Sequence, residues 1–164
     1  MKDKEYWIRE LDLIKHPEGG YYKEIYRSQE SIKVNRGEQN CKRSLITSIF
    51  FLLTSENFSA FHRIKSDEIW HFHDGDAITI HSINKHGELT SVSLGKNIEN
   101  GERLQHVVNA GDWFASEVKK ENAYALVGCT VAPGFDFNDF ELASSELKNT
   151  YSQHSQLIER LTIA

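Results

Sequence analysis

Apolar and polar residues alternate in short runs along most of the chain, and Gly, Asn and Asp separate the runs, a pattern that predicts β-strands. The first segment differs. Trp7, Ile8, Leu11 and Ile14 fall at helical spacing, which predicts a helix over 3–14 with Asp3 as N-cap, ended before Pro17. A turn at Glu18-Gly19-Gly20 leads into a strand, Tyr21 to Ser28. Strict alternation there puts Tyr22, Glu24, Tyr26 and Ser28 on one face, and Tyr21, Lys23, Ile25 and Arg27 on the other. Gln29 to Arg43 is polar and reads as an exposed loop. Ser44 to Thr54 is the most apolar run and suits a buried strand. Phe58 to Ile64 and Glu68 to His73 are predicted as a central hairpin around Lys65-Ser66-Asp67, which would bring His62 and Glu68 onto one face of one sheet. Ala77 to Ile83 pairs with Glu88 to Leu94 across a tight turn. Leu104 to Val108, Trp113 to Val118 and Ala123 to Ala132 continue the series. Phe135 to Leu142 follows Pro133-Gly134, and a helical tail begins at about Ser144 or Ser152. The class is all-β, a sandwich or barrel with short N-terminal and C-terminal helices, in a single domain over 1–164.

Composition narrows the function more than the fold. A chain of 164 residues can bury one proper core. The net charge of −5, with no run of Lys or Arg, argues against nucleic acid as a partner. No stretch approaches a membrane span, and the charged N-terminus has no apolar core of a secretory signal, so a cytoplasmic protein is expected. Cys41 and Cys129 lack metal-ligand spacing and are expected as free thiols. Nine Phe, six Tyr and three Trp favour strands around a lined pocket.

Candidate chemistry centres on His62 and Glu68. An imidazole and a carboxylate at one site can share a metal, or His62 can act as general base, oriented by Glu68 or another acid. Trp70 and Phe72 share Glu68's face by alternation and are expected in the pocket wall. Tyr22, Glu24 and Arg27 either reach the pocket or form a polar dimer seam. Asp136 and Asp139 support a base or organise the turn after Pro133.

The stretch Phe58 to Asp76 reads H-x-I-x3-E-x6-G and resembles the first signature of the cupin superfamily, G-x5-H-x-H-x3,4-E-x6-G. Ile64 stands at the second histidine and Glu56 at the leading glycine. NAGDWFASEV falls where the second signature belongs; Gly111 matches, while Phe114 replaces its histidine. HPEGGYYKEIYRS, FSAFHRIKSDEIWHFHDGD and GCTVAPGFDFNDFELA together resemble one small cupin family carried as a domain of unknown function, over Leu11 to Leu161. The resemblance implies a jelly-roll β-sandwich with a pocket inside the barrel, and a homodimer. The four metal positions of cupins fall on His62, Ile64, Glu68 and Phe114. Two are apolar, so no stoichiometric metal or other cofactor is expected, and Ile64 and Phe114 become pocket wall. A distant likeness to dTDP-sugar 3,5-epimerases implies metal-independent acid–base isomerisation or epimerisation of a small polar organic ligand resembling a sugar nucleotide. Their R-G pair before the histidine is absent here. The alternatives are a non-enzymatic ligand-binding or regulatory cupin, and a metal-dependent cupin enzyme.

Overall fold

A computed structural model describes residues 2–37 and 40–163. Helix α1, Lys4–Glu10, is capped by Asp3, whose side chain accepts from the Tyr6 amide at 2.8 Å. It ends sooner than the apolar spacing suggests. Asp12 adopts a left-handed φ of 51°, which stops the helix and releases Ile14 into a short strand β1, Ile14–Lys15. The helix lays Trp7, Ile8 and Leu11 over Leu13, Leu52 and Leu126 on the outside of the barrel.

The strands that follow are β2 (Tyr21–Arg27), β3 (Ser31–Asn35), β4 (Asn40–Ser44), β5 (Thr47–Thr54), β6 (Phe58–Arg63), β7 (Asp67–Gly75) and β8 (Ile78–Ile83). After these come β9 (Leu89–Leu94), β10 (Gln105–Val108), β11 (Trp113–Glu117), β12 (Tyr124–Ala132) and β13 (Glu141–Leu142). They form a six-stranded sheet in the order β1-β2-β5-β12-β7-β10 and a five-stranded sheet in the order β13-β6-β11-β8-β9. The result is the expected all-β jelly roll. Phe51, Leu53, Trp70, Ile80, Phe114 and Val127 belong to the main core. Outside the five-stranded sheet, Leu147 of helix α2 (Leu147–Thr150) and Ile158 of helix α3 (Ser155–Arg160) cover Phe61, Ile83 and Trp113. Burying Ile158 fully contributes about 1.5–3 kcal/mol. Among the described residues no helix is long and apolar enough to cross a membrane.

Two local expectations are corrected, and one unassigned segment is settled. The segment 29–43 is not a loop: β3 and β4 pair from Ser31↔Ser44 to Asn35↔Asn40. Strand β3 does alternate, with Ile32 and Val34 on one face, but Ile32 is exposed and its partner strand is mostly polar, so the short alternation is submerged in a polar segment. Residues 135–142 form a 3-10 turn, Phe137–Asp139, before the two-residue β13. Most consequential, β6 and β7 do not pair with each other. Their connection crosses from one sheet to the other, so His62 and Glu68 stand on facing sheets.

Candidate active site

The two sheets enclose a cavity of about 520 Å³, a size that suits a small organic molecule. Its floor is built by the turn between β1 and β2. The His16 carbonyl accepts from the Gly19 amide at 3.0 Å, and the His16 amide donates to the Gly20 carbonyl at 3.0 Å. Gly19 and Gly20 have φ of 109° and 77°. A Cβ on Gly19 would lie 2.0 Å from the Phe58 carbonyl oxygen, and one on Gly20 2.9 Å from that of Leu52. Only glycines let this turn press so closely against β5 and β6. The Glu18 carbonyl then accepts from the Ala60 amide at 2.8 Å, and the Glu18 side chain is driven inward to 7% exposure.

Glu18 meets three side chains. Ser59 Oγ donates to its Oε1 at 2.9 Å, His62 Nε2 lies 3.0 Å from its Oε2, and His16 Nδ1 lies 3.6 Å from the same oxygen. The protons can be placed from the partners. His62 Nδ1 is 2.7 Å from the Ala60 carbonyl, which can only accept, so Nδ1 carries a hydrogen. His16 Nδ1 accepts from the Glu18 amide at 3.2 Å, which places the His16 hydrogen on Nε2. Burial pushes the His62 imidazole down to about 4 and pushes the Glu18 carboxyl up. A neutral His62 with hydrogen on Nδ1 presents a bare Nε2, and a protonated Glu18 donates to it. One proton therefore lies between two buried groups.

Glu68 faces this pair from β7. Its carboxyl is raised to about 8, first by burial and then by the nearby Glu18 carboxyl. The Cys129 thiol and the Trp70 indole oppose the shift weakly; Trp70 Nε1 is buried and completes no hydrogen bond. Glu68 is thus a neutral acid at pH 7. The Cys129 thiol, raised well above its usual range by burial and by Glu68, is not a nucleophile.

Tyr22, Glu24 and Arg27 also line the cavity, all on one face. Simple alternation separates Glu24 from Arg27, but the β2–β5 register shifts between Glu24 and Tyr26, and this bulge at Ile25 brings Arg27 round. Arg27 donates to both Glu24 oxygens, from Nε at 2.9 Å and from Nη2 at 2.8 Å, and its Nη2 reaches the Phe135 carbonyl at 3.1 Å. Ile64 and Trp70 lie in the wall. Two residues expected there do not. Phe114 sits behind His62, its ring centroid 4.1 Å from the imidazole, because the two pair across β6 and β11. Phe72 packs partly on the core and borders a shallow outer groove with His71 and His73.

The description of a family in the cupin superfamily (DUF985) matches residues 5–143. The chain belongs to this family. An uncharacterized protein of Saccharomyces cerevisiae, YML079W, is 33% identical over 155 residues, 87% of this chain and 77% of that protein. Among solved structures, a hypothetical protein from Leishmania major is 36% identical with a TM-score of 0.92, covering 99% of this chain and 100% of its own. Protein SO0799 from Shewanella oneidensis is 40% identical with a TM-score of 0.88, covering 99% of both chains.

Cupin membership raises the question of a metal, and the donor set of this chain does not fit one. The two apolar positions, Ile64 and Phe114, are a cavity wall and a ring packed at a tilt against His62. Both His62 nitrogens are engaged, by Ala60 and Glu18. Among the described residues no three His, Cys, Asp or Glu side chains form a chelating group.

Sequence reasoning missed Glu18 and His16. Their available signal was an acid followed by two glycines immediately before a strand, a turn that can bury what precedes it.

The buried charges set a pH dependence of stability. Glu68, raised to about 8 from 4.5, contributes stability that is complete below pH 4.5 and is lost as pH rises through 8. His62, lowered to about 4 from 6.5, contributes stability that is complete above pH 6.5 and is lost as pH falls through 4. Between pH 6.5 and 8 the His62 contribution is complete, and the loss at Glu68 remains, in the same direction as any from the raised Glu18 carboxyl. The unfolding free energy should fall by about 2 kcal/mol across that window. Urea midpoints at the two pH values check this, and a rise would contradict it.

Proposed function

We propose that this protein binds a small polar organic molecule between its sheets and moves a proton at a carbon beside a carbonyl, as in isomerisation or epimerisation. The observation that carries the reading is the 3.0 Å contact of Glu18 with His62 on one side of the cavity, with Glu68 held as a neutral acid on the other. Proton transfer to His62 Nε2 turns Glu18 into a carboxylate that can accept a substrate proton. Glu68 can deliver its own proton to the opposite face of the same carbon. Acid and base on facing sheets supply the geometry that inversion needs. Exchange with solvent resets both groups.

The nucleotide part of the expected ligand has less support. Arg27 is the only Lys or Arg in the lining among the described residues, and Glu24 already occupies it. A homodimer remains part of the proposal. Ile25 and Tyr26 of β2 are 53% and 54% exposed, which supports a seam along that strand. Sedimentation giving a monomer at micromolar concentration would contradict it.

The function is tested by incubating the protein in D2O with a panel of keto sugars and keto acids, followed by proton NMR. We expect loss of a C–H signal next to a carbonyl, with one deuterium incorporated per exchange. A compound that binds in the cavity without exchange would make the protein a binding module instead.

A further inference from the structure

We propose that the ligand of this cavity carries a basic nitrogen, and that its ammonium group sits between the carboxyl groups of Glu18 and Glu68. The proposal rests on reading the cavity as a ligand site and deepens that reading to a chemical class.

The charge inventory of the lining points one way. Four carboxyl side chains face the cavity: Glu18, Glu24, Glu68 and Asp136. In the lining itself stands one cation, Arg27, spent on a two-point ion pair with Glu24, and Asp136 is met from behind by Arg43, whose Nη1 lies 3.9 Å from it. Nothing positive is left for the interior pair. His16 is held neutral by burial, and both of its ring nitrogens have assigned roles, Nδ1 as acceptor and Nε2 as proton carrier. His62 is also neutral.

Glu68 is the anomaly. It is 8% exposed, no cation acts on it, and the strongest neighbouring charge is the Glu18 carboxyl. Ionised together, two carboxyls in one low-dielectric cavity repel, so both keep their protons until a cation enters. An entering ammonium relieves both costs together. It also meets aromatic faces, because Tyr22, Phe51 and Trp70 line the same space, and rings of this kind attract cations. The indole N–H of Trp70, buried and unpartnered, is a donor in search of an acceptor such as a ligand hydroxyl. The class that fits is a polar amine with hydroxyl groups, an amino sugar or amino alcohol.

As the ammonium enters, Glu68 ionises and its proton passes to the buffer, so with such a ligand Glu68 is the base and the proton shared by Glu18 and His62 is the one delivered, the reverse of the roles given above. Binding should therefore release protons, which calorimetry in two buffers of different ionisation enthalpy measures directly. Matched sets serve as probes: glucosamine, glucose and glucuronate, then ethanolamine, ethylene glycol and glycolate. At pH 7 we expect the amine of a set to bind at least about tenfold more tightly than its neutral and anionic counterparts, as one ion pair would give. Glu68→Gln should lower amine affinity by a similar factor and abolish proton release, while its thermal unfolding reports that it is folded. Equal or tighter binding of a neutral or anionic member overturns the amine class and leaves the pocket reading standing. Failure of every probe to bind overturns both.

Discussion

Glu18→Gln is expected to reduce deuterium exchange by about 10²- to 10⁴-fold, the usual range for loss of a positioned acid–base group. The substitution keeps the shape of the side chain. An amide oxygen can still accept from Ser59 Oγ at the place where Oε1 now does, and an amide N–H can donate to His62 Nε2 where the carboxyl now lies at 3.0 Å. What is lost is the movable proton. The urea midpoint should therefore shift little while exchange collapses. If exchange persisted at the wild-type rate, Glu18 would be a structural clamp for the β1–β2 turn and not the proton carrier. An equal collapse of stability would point the same way.

The second large effect lies at the rim. Arg43 donates to Asp139 from Nε at 2.8 Å and from Nη2 at 2.9 Å, and both side chains are buried. Arg36 adds its Nε at 3.6 Å from the same carboxylate, and its Nη2 donates to Ser66 Oγ at 2.8 Å. One carboxylate thus holds two guanidinium groups and ties the β3–β4 hairpin to the turn before β13. Asp139→Asn leaves two cations facing each other with only the partly exposed Asp136 carboxylate, 3.9 Å from Arg43 Nη1, as counter-charge. Breaking a buried pair by removing one partner costs about 3–5 kcal/mol. Urea unfolding of the variant should show a loss of at least about 3 kcal/mol. A loss below about 1 kcal/mol, the level of an exposed pair, would contradict the structural role assigned to this cluster. The double change Arg43→Met with Asp139→Leu should recover part of the loss, because it removes the buried charges together.

These two residues show what hydrophobic pattern can and cannot convey. The run that became β5 was legible because a buried strand in a two-sheet core has few polar positions. His62, Ile64, Glu68 and Trp70 were placed toward one space from strand alternation, and they do face one cavity. The path was misread. Alternation fixes which way a side chain points relative to its own sheet, but it does not say whether the next strand stays in that sheet. The connection at Lys65-Ser66 reads as a hairpin turn and acts as a crossover, so Glu68 faces His62 instead of lying beside it. Arg27 was assigned to the wrong face because one bulge at Ile25 resets the period-two rule, and no turn residue announces it. Phe114 was read as wall because the cupin comparison supplied a position without a depth. It is the ring behind the histidine. Glu18 was invisible for a simpler reason. A glutamate in a Pro-Glu-Gly-Gly turn signals exposure, and only the docking of both glycines against the β5 and β6 backbone carries it inside.

The central claim is that one proton lies between Glu18 and His62, with His62 neutral and protonated at Nδ1. Nitrogen-15 NMR of the imidazole ring at pH 7 tests it directly. The account predicts that Nδ1 resonates as a protonated nitrogen and Nε2 as a bare, hydrogen-bond-accepting one, with the Nε2 signal shifting in Glu18→Gln. Two protonated ring nitrogens at that pH, or a hydrogen on Nε2 alone, would contradict it.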